Sequence, residues 1–176
     1  MDKLSVNLKL TPLTMSDYLA LLPILSDPRV VVPSGLRLLN GGPALRWAIQ
    51  TLLANHPCFG IKLTPENLVG MIVCDPAVDQ SNQLCPHRFE LAYLLDFGCW
   101  GHHIMTNAVQ IFEEVINPTD TQLVLVAKVR PTNLASLKVL ANTGFKRVSS
   151  TDSQIIEWHL RRNHPKTVAG QPTLRV

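Results

Sequence analysis

The sequence predicts a single α/β domain, and three observations carry that reading. Strand-like and helix-like segments alternate over 176 residues in the order β-α-α-β-β-β-α-β-α-β-β, about seven strands and about four helices. The segment "LVLVAKV" (123–129) is a near-continuous apolar run, as expected of a strand covered on both faces. An apolar fraction of 46% is ample for one core, and neither an internal repeat nor a linker divides the chain.

Each element has a local warrant. Val6, Leu8 and Leu10 alternate with Ser5, Asn7 and Lys9, the pattern of a half-buried strand. In "LTMSDY", Thr14 is the expected N-cap, Asp17 its capping-box partner, and Leu13 with Tyr18 a hydrophobic staple. That helix is expected to reach about Leu25, with Pro23 marking a kink or an early stop. "NGGP" breaks the chain and Pro43 opens a second helix, with Leu45, Ala48, Ile49, Leu52 and Leu53 at helical spacing. Residues 58–64 and 68–74 read as strands joined by "TPEN". "DPAVDQSNQLCPH" reads as a polar loop leading to a strand at about 89–95. A break then precedes a helix with Ile104, Ala108, Ile111, Phe112 and Val115 on one face. After 123–129, "PTNLASLKVLANTGF" is a compact helix capped by Thr132 or Asn133, with Gly144 where a left-handed residue ends it. Closing strands fall near 145–150 and 154–161, so the domain is expected to span 1–162, with 163–176 a loose tail.

Composition narrows the function class. No stretch approaches the roughly 18 apolar residues that span a bilayer, and "MDKLSVNLKL" lacks the apolar centre of a signal peptide. A cytoplasmic location without membrane contact is the expectation. Cys58, Cys74, Cys85 and Cys99 form no C-x-x-C pair and read as reduced thiols. Cys74, Cys85 and His87 are spaced too loosely to predict zinc, so no metal is expected. The net charge of +3 favours an anionic ligand weakly. No basic run exceeds Arg161–Arg162, so nucleic acid is not an expected partner and most charges read as solvated surface.

The break "LDFGCWGHHIMTNAV" (94–108) carries the most chemistry. A tight strand-to-helix turn presents the unpaired N–H groups of the first helical turn, a natural cradle for phosphate. Gly98 and Gly101 are small enough for close approach, but His102 and His103 follow them. From the residues alone, a phosphate cradle and an ordinary bend with two exposed imidazoles are both open.

The stretch from Phe89 to Val148, "FELAYLLDFGCWGHHIMTNAVQIFEEVI…LVLVAKVRPTNLASLKVLANTGFKRV", resembles the GNAT superfamily of acyl-CoA N-acyltransferases. It is most like the Rim-type branch, which acetylates the N-termini of ribosomal proteins. The matching positions are Glu90, then Trp100, Gly101, Thr106 and Ala108, then Asn133, Ser136, Gly144 and Phe145. The resemblance implies a GNAT-like fold with a mixed central sheet, and acetyl-CoA as cosubstrate. Residues 100–106 (Trp100, Gly101, His102, His103, Ile104, Met105 and Thr106) would hold the coenzyme pyrophosphate through main-chain amides. The backbone around Leu94 and Leu95 would hold the pantetheine arm, and Asn133 and Ser136 would contact the coenzyme. Glu90 is implied as the base and Ser136 as the acid near the thiol. Tyr93 is a residue that could face the cleft, though strand alternation favours packing.

The chain departs from the pattern at His103, where the branch has glycine, at Met105, where it has a small residue, and at Leu140, where many members carry tyrosine. The expected reaction is direct attack of a primary amine, on a protein N-terminus or a small molecule, on the acetyl thioester. Arg29 and Arg37 are available to an acidic acceptor, and the positive net charge weighs against a polyamine. Two alternatives are a non-catalytic acyl-CoA-binding module and a GNAT-type toxin acting on aminoacyl-tRNA. A monomer or a homodimer fits either.

Overall fold

The computed structural model describes residues 8–34, 42–79, 81–148 and 154–162. Seven strands, β1 (Lys9–Pro12), β2 (Cys58–Thr64), β3 (Asn67–Val78), β4 (Leu84–Leu95), β5 (Val124–Val129), β6 (Lys146–Val148) and β7 (Ile156–Arg161), form one sheet in the order β1-β2-β3-β4-β5-β7-β6. The sheet is mixed: β4 and β5 run parallel, whereas β1–β2, β5–β7 and β6–β7 are antiparallel. The helices are α1 (Tyr18–Ser26), α2 (Pro28–Ser34), α3 (Gly42–Asn55), α4 (Ile104–Val115) and α5 (Leu134–Asn142). The α/β class and the strand number match the sequence reading, with α2 as an additional helix. Two compact units emerge, Met1–Ile72 with Tyr93–Ala108, and Val73–Ala92 with Val109–Val176.

In the first unit, Leu8 and Leu10 are buried and Lys9 is exposed, with Leu10 opposite Ile61 on β2. Val6 lies outside the described residues. The Thr14 cap forms, with Thr14 Oγ1 accepting from the Ser16 amide at 3.3 Å and Asp17 Oδ2 from the Thr14 amide at 3.0 Å. It closes a 3-10 turn, Met15–Asp17, that leads into α1. Pro23 does not stop α1. It removes a single backbone donor, and Leu21, Ile24 and Leu25 around it are all buried, so packing carries the helix to Ser26.

The stop lies at Asp27, whose extended conformation (ψ 114°) is what the following Pro28 demands. The same residue starts α2: its carbonyl accepts from the amides of Val30 and Val31, and Pro28 takes the first helical position, where no donor is missed. The β-branched run 30–32 concealed this helix in the sequence. In α3, Leu45 and Ile49 are buried, and Ala48, Leu52 and Leu53 are half-buried.

In the second unit the expected polar loop at 75–88 is mostly strand. β3 runs on to Val78 and β4 begins at Leu84. The turn between them is set by Asp79, whose Oδ1 accepts from the Ser81 amide, the Ser81 hydroxyl and the Gln83 amide at 2.7–3.0 Å. Pro76 and Pro86 stand in these strands and both are exposed, where a missing donor costs a sheet least. On α4, Val109, Phe112 and Val115 are buried, and on β5 so are Leu125, Ala127 and Val129.

α5 begins at Asn133, whose Oδ1 accepts from the Ser136 amide at 3.1 Å. It ends at Gly144 (φ +85°), with the Phe145 amide bonded to the Leu140 carbonyl, as a left-handed C-terminal residue requires. Of the closing strands, residues 149–153 lie outside the described residues, as does the expected tail. Among the described residues no helix is long and apolar enough to cross a membrane, and no group of three or more His, Cys, Asp or Glu could hold a metal ion.

Candidate active site

The segment between β4 and α4 is fixed at its entry by backbone. The Asp96 amide donates to the Val69 carbonyl at 2.7 Å, and at Gly70 a Cβ would stand 2.5 Å from the Leu94 carbonyl oxygen. Only glycine lets β3 approach β4 this closely. A 3-10 turn, Phe97–Cys99, follows, capped by Asp96 Oδ1 accepting from the Gly98 amide at 2.8 Å. Trp100 donates its indole N–H to the Leu95 carbonyl at 2.9 Å, and its ring packs against Phe97 with centroids 5.2 Å apart. The Arg29 guanidinium stacks over the other partner of this pair, 4.1 Å from the Phe97 centroid, while it is bonded to Asp27 at 2.6 Å. Arg29 thus packs on this segment while its side chain stays 62% exposed. Arg37 lies outside the described residues.

Gly101 (φ +81°) and His103 (φ +60°) both take left-handed backbone conformations. α4 then starts, with the Asn107 amide on the His103 carbonyl at 2.9 Å. By helix geometry the amides of Ile104, Met105 and Thr106 have no acceptor within the helix, and no acidic residue sits in its first turn. This end of the helix presents donors and partial positive charge to an anion. His102 and His103 are exposed, while Ile104 and Met105 are buried, so the Met105 side chain is directed into the protein. Leu94 and Leu95 are also buried, with the Leu95 carbonyl bonded by the Trp100 indole, and Tyr93 is half-buried.

The left-handed φ of His103 gives a second physical reason for glycine there, besides size. A non-glycine residue in that region costs about 1–2 kcal/mol, whereas glycine costs a fraction of that in unfolded-state entropy. His103→Gly is therefore expected to stabilise the fold by up to about 1 kcal/mol. Chemical denaturation of both proteins measures it, and a destabilised variant would show that the imidazole makes a contact worth more than the strain.

In the second unit, the ladder between β4 and β5 pairs Arg88 with Val124, Phe89 with Leu125 and Glu90 with Val126. β4 continues past Glu90 over residues 91–95, and on β5 Ala127–Val129 pair with Trp158–Ile156 of β7. Glu90 Oε2 bonds Lys128 Nζ at 2.8 Å, an ion pair with both side chains a little under half exposed. Arg88 Nη2 bonds Glu157 Oε1 at 2.8 Å, and His159 Nε2 bonds the same oxygen. The His159 bond, with the charges of His159, Arg88 and Lys128, outweighs burial and holds the Glu157 carboxyl below its ordinary range. Glu157 is thus an anion near neutrality and a poor proton acceptor.

Asp79, Arg88, Glu90, Lys128 and Glu157, with Cys85, Val126 and the end of β3, line a cavity of about 400 Å³. Its charged residues other than Glu90 escaped the sequence reading. A charge in the apolar run "LVLVAKV" was the available signal, because Lys128 marks one face of that strand as open. Asn133 and Ser136 lie in this same unit, at the start of α5, with Asn133 engaged as its cap. Leu140 is fully buried and supplies no hydroxyl.

A model of the family described as "Acetyltransferase (GNAT) domain" matches residues 7–146. The chain belongs to the GNAT acetyltransferase family. Solved structures repeat the GNAT fold at low identity. A ribosomal-protein-S5-alanine acetyltransferase from Vibrio fischeri is 15% identical, with a TM-score of 0.68 over 91% of this chain and 96% of that one. The aminoglycoside acetyltransferase AAC(6')-Ib in complex with coenzyme A is 16% identical, with a TM-score of 0.72 over 89% and 95%. An acetyltransferase from Agrobacterium tumefaciens str. C58 is 22% identical, with a TM-score of 0.63 over 92% and 95%. No curated protein matches the chain in sequence.

Proposed function

We propose that this GNAT protein is an N-acetyltransferase that moves an acetyl group from acetyl-CoA to a primary amine. The observation that carries the reading is the start of α4, an exposed turn with two left-handed residues that leads into three helix amides without helical acceptors. Gly101, His102 and His103 leave backbone accessible there, and Trp100, Ile104, Met105 and Thr106 complete the cradle, so the residues present fit a pyrophosphate. The backbone near Leu94 and Leu95 would hold the pantetheine arm. Asn133 and Ser136 would contact the same coenzyme, as the family motif implies.

Glu90 is the proposed base. Its carboxylate takes a proton from the acceptor ammonium or its water, so that the neutral nitrogen can bond to the acyl carbon as the carbon–sulfur bond breaks. Ser136 is proposed to give a proton to the departing sulfur. The thioester supplies only the acyl group; the protein supplies position and proton transfer. A non-catalytic acyl-CoA-binding module is the second reading, favoured by the buried Leu140 where many members have a tyrosine acid.

Acetyl-CoA at a hundredfold excess over Kd is expected to stabilise the protein by about 2.7 kcal/mol, measured by thermal shift and calorimetry. An unchanged melting curve at millimolar coenzyme would defeat the proposal. Binding with no thiol release against a broad amine panel would favour the second reading.

A further inference from the structure

The walls of the cavity beside Glu90 carry three carboxylates, Asp79, Glu90 and Glu157, against two cations, Arg88 and Lys128. Both cations are engaged in place, Arg88 with Glu157 and Lys128 with Glu90, each at 2.8 Å. His159, outside the lining, also bonds Glu157, so the surplus left to meet an acceptor carboxylate is the Asp79 carboxylate, and close like charges are costly. An ammonium meets the opposite. Asp79 supplies the surplus, because the hydrogen bonds from Ser81 and Gln83 hold its carboxyl below its ordinary value and keep it ionised. The net charge of +3 repels polycations at a distance, but beyond a Debye length of about 10 Å that field is screened and the local sign decides. A volume of about 400 Å³ falls in the lower part of the range for small-molecule sites.

We propose that the acceptor is a small amine that bears no carboxylate and carries a second positive group, its reacting nitrogen at Glu90 and its second charge toward Asp79. This rests on Glu90 being the base of the acetyl transfer.

The test is steady-state thiol release from acetyl-CoA by the full chain with four acceptors: agmatine, arginine, pentylamine and a short peptide with a free N-terminus. Agmatine is expected to exceed arginine in kcat/KM by about tenfold or more, and to exceed pentylamine several-fold. Asp79→Asn keeps an Oδ1 for the turn and is expected to narrow the agmatine-to-pentylamine ratio toward one. Arginine equal to agmatine, a peptide preferred over both, or a ratio that ignores Asp79→Asn would overturn the inference and leave the transferase reading standing. Thiol release with none of the four would overturn the inference, and silence across a broad amine panel would overturn the transferase reading with it.

Discussion

Arg162→Met is expected to destabilise the protein by about 3–5 kcal/mol. The side chain of Arg162 is 2% exposed and all five of its N–H donors are used. Nε bonds Glu113 Oε1 at 3.2 Å, Nη1 bonds the carbonyls of Asn117 and Asp120 at 2.7 and 3.3 Å, and Nη2 bonds those of Ile116, at 3.0 Å, and Glu113. These carbonyls belong to the last turn of α4 and the segment after it, where backbone acceptors run out of helical donors. Methionine keeps the stem but strands the Glu113 carboxylate and four carbonyls in a site with little access to water. Urea unfolding monitored by circular dichroism measures the loss, and a loss under about 1 kcal/mol would mean that water replaces the guanidinium. Arg162→Lys should fall between the two, because an ammonium keeps the charge and loses the planar fork.

Glu90→Gln is expected to lower kcat by on the order of 10²-fold or more, with coenzyme affinity nearly unchanged. Losing the exposed pair with Lys128 costs about 1 kcal/mol at most, so the variant should fold and the kinetic effect should be separable from stability. The acid limb of the pH–rate profile should vanish with the carboxylate. Near-normal turnover with that limb intact would reduce Glu90 to a partner for Lys128.

Much of this was legible because its causes are local. Capping at Thr14 and Asn133, the left-handed end at Gly144 and the apolar run of β5 depend on a few neighbouring residues, and each was found where the pattern put it. What could not be read required partners distant in sequence. Arg162 looked like half of a solvated basic pair, because the carbonyls that bury it lie 42–49 residues earlier. The stacking of Arg29 on Phe97, 68 residues later, was likewise invisible in the sequence. The polar segment between β3 and β4 read as loop for another reason: its prolines are tolerated in a strand where the sheet does not use their missing donors, and that exposure is invisible in sequence. At His103 the motif pattern showed a lost glycine, but only the dihedral angle shows that the backbone there is still bent as glycine would bend it.

Gly70 stands outside every motif, yet its bare Cα lies against the carbonyl of Leu94, next to the point where the Asp96 amide holds Val69. The address of the phosphate-facing turn is thus written in main chain, one strand away, and its side chains are free to drift. Histidine can stand for glycine within the turn at the modest expense of a strained dihedral. A single methyl group at residue 70 would begin 2.5 Å from an oxygen that has nowhere to go without carrying the end of β4 with it. Across relatives, tolerance should therefore run opposite to intuition, loose in the turn that meets the ligand and strict at a glycine that never does.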